Sequence, residues 1–130
     1  MNPHELRVVE SLQAGKVTCK TAHGHSMEPI VPSGSRQTLV PVLAQAEAER
    51  LGCRHYEAGV EVNEGESWYI TPDEVQVGDP VFCKVANFYT HEVHKIAGKP
   101  GDREFYIGRH DKKRYNGWTR KVYGKCIKAE

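Results

Sequence analysis

Glycine- and proline-bearing turns cut most of this chain into short apolar or β-branched runs, and that punctuation limits what it can build. The runs fall at residues 37–42, 68–71, 81–85, 89–96, 104–107 and 121–127. Each has the length of a strand and falls short of the 10–12 residues or so that a helix would use. The first follows Pro32-Ser33-Gly34, and the third follows Gly78-Asp79-Pro80. Only Ala86-Asn87-Phe88 separates runs 81–85 and 89–96, which predicts a hairpin. Two segments read as helices instead. Near the N-terminus, Asn2 is a capping residue, Pro3 suits the first helical position, and Leu6, Val9 and Leu12 recur at helical spacing until Gly15. Residues 43–51 are rich in Ala, Glu and Gln and stop at Gly52. The sum predicts a mostly β domain with a minor α part: a coiled sheet or partly open barrel with one or two short helices. Residues 43–66 read as an insertion in that pattern.

At 130 residues the chain suits a single domain spanning 1–130. Lys and Arg total 18 against 17 for Asp and Glu, so the net charge of +1 supplies no broad attraction for nucleic acid or an anionic membrane. No apolar stretch approaches the ~20 residues that span a bilayer, and the opening residues lack the basic-then-apolar order of a signal peptide. The expectation is a cytoplasmic protein without a membrane anchor. Cys19, Cys53, Cys83 and Cys126 form no C-x-x-C pair and read as reduced thiols. Cys19, His23 and His25 lie close in sequence, but their spacing fits no zinc module, so no metal or other cofactor is expected. The basic and aromatic residues from Lys112 to Lys121 read as a solvated hairpin rather than a single-strand nucleic-acid surface.

One segment stands apart: Gly24-His25-Ser26-Met27-Glu28-Pro29. Gly24 permits unusual dihedrals, and Pro29 fixes the chain's direction after the turn. A serine presented on such a turn is accessible as a nucleophile, and neighbouring backbone N–H groups could bind an oxyanion.

This segment, with Ser33-Gly34 after it, resembles the nucleophile box of the LexA-like and signal-peptidase-like serine peptidases. Further boxes follow in the same order. Val75-Gln76-Val77-Gly78-Asp79-Pro80-Val81 is similar to the family's Val-x-Val-Gly-Asp-x-Val, and residues 88–96 resemble the strand that carries the general base. Ile107-Gly108, Asn116-Gly117-Trp118 and Val122-Tyr123-Gly124-Lys125 resemble the closing segments of small soluble members. The resemblance covers residues 20–42 and 72–128. It implies that Ser26 is the nucleophile and that Gly24 and Met27 belong to the turn that shapes the oxyanion site.

The family's base is lysine in most branches and histidine in some. Matching Tyr89-Thr90-His91-Glu92-Val93 to soluble relatives selects His91; matching Val93-His94-Lys95-Ile96 with Gly98-Lys99-Pro100-Gly101-Asp102 to the membrane enzymes selects His94. His91 is favoured, and three residues apart on a strand the two rings should face opposite sides. Lys95, expected on the face of His91, is a lesser candidate. Where histidine-using relatives carry Gly-Asp-Asn, this chain has Gly108-Arg109-His110-Asp111, so Asp111 is a possible third member only by displacement. Asp79 reads as a turn residue bonded to nearby backbone.

The resemblance thus implies a serine endopeptidase with a Ser-His or Ser-Lys dyad, acting on its own chain, a partner or a translocated peptide. The substrate would lie extended beside a strand. With about 20 residues before the serine box there is no room for a DNA-binding headpiece. A stand-alone regulator or a phage- or mobile-element-encoded member fits best, and an oligomer is compatible with it. The alternative is an inactive protein-binding or regulatory module on the same fold.

Overall fold

The computed structural model describes residues 3–112 and 114–130. Asn2, expected to cap the first helix, lies outside the described residues. The elements in order are α1 (Pro3–Gln13), β1 (Thr18–Thr21), β2 (Arg36–Pro41), α2 (Gln45–Arg50), β3 (Arg54–His55), β4 (Trp68–Tyr69), a 3-10 turn at Pro72–Glu74, β5 (Pro80–Val85), β6 (Asn87–Lys99), β7 (Asp102–Gly108), β8 (Gly117–Thr119) and β9 (Val122–Ala129). Seven strands form one antiparallel sheet in the order β1-β2-β9-β5-β6-β7-β8, while β3 and β4 pair separately. The sheet is open, so the architecture is mostly β with two helices, as the punctuation predicts. The expected β5–β6 hairpin forms, with Val85 opposite Asn87 and Val81 opposite His91.

Strand alternation sorts side chains onto two faces. On one, Leu39, Phe82, Phe88 and Cys126 meet Val8, Val9 and Leu12 of α1, together with Met27 and Val31. An 11-residue helix is marginal alone, so α1 depends on this contact. Each of its three buried residues contributes about 1.5–3 kcal/mol. Gly124 admits the helix closely: a Cβ there would stand 3.1 Å from Leu12 Cδ1. On the opposite face, Val40, Val81, Cys83, Val93, Phe105, Ile107 and Val122 are covered by Val42, Ile70 and Val75, with Tyr56, Val62 and Trp68 at the margin. Residues 43–66, expected as an insertion, thus supply part of the cover for one face of the sheet.

The sheet curls strongly. Gln37 on β2 accepts a hydrogen bond from Thr90 Oγ on β6, although β9 and β5 lie between. In a flat sheet those strands would be about 14 Å apart, three spacings of about 4.8 Å. The two side chains meet only because this face is concave.

The register of β6 shifts once. Val93 pairs with Ile107 and Lys95 with Tyr106, leaving His94 as an extra residue. Val93 and Ile96 therefore both reach the covered face, three residues apart. Lys95 turns instead to the Tyr106 ring, its ammonium 5.3 Å from the centroid. The expectation that Lys95 shares a face with His91 assumed unbroken alternation, and the bulge overturns it.

A candidate active site at the Ser26 turn

The Ser26 turn is entered through a glycine and anchored by buried residues after the serine. Gly24 holds φ at +84° with open space around it, so the left-handed backbone rather than crowding requires glycine. Met27 and Val31 are buried in the core shared with α1, and Val31 N–H donates to Met27 O at 2.8 Å. Between the exposed His25 and the buried Met27, Ser26 is half-buried. The Ser26 and Met27 N–H groups have no acceptor among the described residues.

Ser26 borders two adjoining hollows. One is a cavity of about 80 Å³, walled by Lys20, Ala22, Met27, Gln37 and Thr90, with His4 and Glu5 at its margin. The other is an open groove lined by His23, His25, Tyr89 and Arg109. Lys20 is 8% exposed, its ammonium 4.9 Å from the centroid of the Phe82 ring. Burial pulls its pKa below the usual lysine range, and the charge of Glu5 partly opposes that shift.

The two histidines weighed from the sequence occupy different surroundings. His91 pairs with Val81, whose side chain belongs to the covered face. Its Nε2 is buried with no hydrogen-bond partner, and burial pushes its pKa down to about 4. Its ring packs edge-on to Tyr89, and neither hollow beside Ser26 is lined by it. His94 lies on the other side of the strand, as alternation predicts. Its Nε2 donates to Arg109 O at 2.9 Å and stands 3.7 Å from Glu92 Oε2.

A third imidazole, that of His110, also lies against Glu92; like His91, it lines neither hollow beside Ser26. His110 Nδ1 is 2.6 Å from Glu92 Oε1, and the His110 backbone N–H donates to Ser26 O at 2.8 Å. Because a carboxylate accepts at Nδ1, Nε2 carries the basic lone pair. Asp111, the possible third member, instead receives both Nε and a terminal nitrogen of Arg109, at 2.7 and 2.8 Å. Glu92, opposite Pro80 in the β5–β6 ladder, is the carboxylate that holds His110; Glu28 holds His25 and Glu74 holds His55 in the same way. The available signal was the His-Glu-Val-His stretch itself, with Glu92 one residue from His91 and two from His94; a local reading could not foresee that His110 would fold onto it.

The remaining expectations concern groups outside this cluster. Asp79 Oδ2 accepts from Gln76 N–H at 2.8 Å, the turn role expected for it, and also receives Lys125 Nζ at 3.2 Å. All four cysteines are free. Cys19 lies against Thr38, Cys53 against Gly15 O, and burial pushes the Cys83 thiol up to about 12. Among the described residues no group of three His, Cys, Asp or Glu side chains could hold a metal ion. No described helix is long and apolar enough to cross a membrane. No known protein family, no characterised protein and no solved structure matches this chain.

Proposed function

We propose that this protein is a serine peptidase of the LexA-like and signal-peptidase-like kind, with Ser26 as nucleophile and His110, oriented by Glu92, as general base. The observation that carries the reading is the pairing of a glycine-entered serine turn with a carboxylate-held imidazole, joined by the Ser26 O to His110 N–H bond. In the reaction, Ser26 Oγ attacks a peptide carbonyl and its proton passes to His110 Nε2. The Ser26 and Met27 N–H groups receive the oxyanion, and His110 returns the proton to the departing amine. Water, deprotonated by the same imidazole, then releases the acyl group. Glu92 favours the tautomer with Nε2 free and stabilises the imidazolium that forms. His94 spends its Nε2–H on Arg109 O and braces the loop that presents His110. His91, favoured by the resemblance, would need to bring a buried nitrogen around from the other face of β6.

Ser26 Oγ makes no hydrogen bond to His110 in this structure; such contacts tighten on substrate binding in many hydrolases. That same gap favours the second reading, an inactive peptide-binding module.

A fluorophosphonate that labels activated serines separates the two. The expected result is labelling of the native chain at Ser26, none in Ser26→Ala, and labelling slowed about 10²–10⁴-fold in His110→Ala. Unlabelled native protein would support the binding module. Labelling lost in His91→Leu but kept in His110→Ala would return the base to His91.

A further inference from the structure

We propose that the cavity beside Ser26 selects an acidic side chain, Asp or Glu, on the extended peptide bound there, with Lys20 at its floor as the counter-ion. The inference rests on the peptidase or peptide-binding reading for the presence of a peptide, and adds the chemistry that this peptide must carry.

Lys20 stands opposite Gln37 in the β1–β2 ladder, so both side chains enter the concave face. Gln37 Oε1 is already occupied by Thr90 Oγ–H. Lys20 is 8% exposed, yet no carboxylate lies within ion-pair distance of its ammonium among the described residues, and it makes no hydrogen bond there. Its one close partner is the face of Phe82, 4.9 Å away. A buried ammonium without an anion is costly, and a chain that places one at the wall of a cavity has left its pairing to something that enters. Desolvation works in the same direction: burial disfavours the charged form, and an incoming carboxylate would favour it.

The size agrees with a short acidic group. A cavity of about 80 Å³ has room for a carboxylate on one or two methylenes. Its apolar wall, formed by Ala22, Met27 and Val31, suits those methylenes. Ser26 lines the same cavity, so a peptide whose carbonyl faces Ser26 has a neighbouring side chain within reach of Lys20. Glu5, half-buried at the margin, acts on Lys20 without reaching ion-pair distance and competes weakly with the substrate's acid.

The test is a binding measurement that needs no turnover. Acetyl-Ala-Ala-Glu-amide and its Gln counterpart are titrated into the full-length Ser26→Ala protein, following the backbone amide resonances of Ala22, Gln37 and Thr90 around the cavity, which every variant retains. The Glu peptide should bind about tenfold or more tightly than the Gln peptide, the range of a charge-assisted bond. In Lys20→Met the ratio should fall to about one, and in Glu5→Gln, which leaves Lys20 in place, it should rise. Equal binding of the two peptides, a preference that survives Lys20→Met, or no binding of either overturns the inference. Failure of the peptidase reading is seen separately, as a native chain that fluorophosphonate does not label; the Glu-to-Gln ratio is independent of that result.

Discussion

The two sides of β6 obey opposite rules. Toward one, Val93, Ile96 and the ring of His91 enter a face sealed by residues 42–75, where Phe105 and Ile107 are at most 1% exposed. Toward the other, Thr90, Glu92 and His94 each hold a polar partner, and the face stays open at the Ser26 hollows. His91 and Glu92 are adjacent in sequence, yet one loses its water without gaining a bond while the other fixes a second imidazole. A strand's two-residue period is enough to separate packing from chemistry.

The largest break in that contrast should come from the sealed face. Phe105→Ala removes a ring that is 1% exposed, and it should cost about 3–5 kcal/mol in a denaturant titration. A loss below about 1 kcal/mol would mean that the cover over this face yields to fill the space.

The next effect is the pH dependence set by His91. Its folded pKa of about 4 lies below the ordinary value near 6.5, so protonation favours the unfolded chain. The stability held above pH ~6.5 should fall by about 2–3 kcal/mol as pH drops from there to ~4, and that part should level off below. Chemical denaturation at stepped pH should show this slope flattened in His91→Leu. An unchanged slope would place the acid sensitivity in other groups.

Thr90→Val is the gentlest probe and tests the open side. It leaves Gln37, which is 2% exposed, without the hydroxyl that donates to its Oε1, and should cost about 1–3 kcal/mol. A cost as large as that of Phe105→Ala would erase the distinction between the faces.

Much of the fold can be read from local signals. Short punctuated runs mark most strands of the large sheet, and Leu6, Val9 and Leu12 mark α1, although Leu6 is exposed and Val8 is buried in its place. The expected helix over 43–51 contracts to Gln45–Arg50, because Leu43 and Ala44 are still extended and Ala44 caps nothing. β1 escapes notice because its four residues, Thr-Cys-Lys-Thr, carry little apolar signal and are held by the ladder to β2. The serine turn is legible because its glycine, serine and proline act through nearby backbone. Its charged neighbours are not, since Lys20 reaches the cavity beside Ser26 across the concave sheet and a loop folds His110 onto Glu92, and neither leaves a periodic mark. Asp111 illustrates the limit: it is close to His110 in sequence, but Arg109 is nearer and binds it through two nitrogens.

The strand order has a consequence for how the candidate site is held together. β2 and β5 touch through β9, the latest strand in the chain, and share no ladder of their own. Ser26 and Lys20 travel with the β1–β2 piece, whereas Glu92, His94 and His110 travel with the piece made of β5 to β8. In the sheet β9 lies between the two pieces, and the His110 N–H to Ser26 O and Thr90 to Gln37 bonds join them directly. A chain stopped short of β9 would therefore keep the groups of the candidate site but lose the strand that joins their two pieces by ladders, leaving side-chain and loop contacts to hold them.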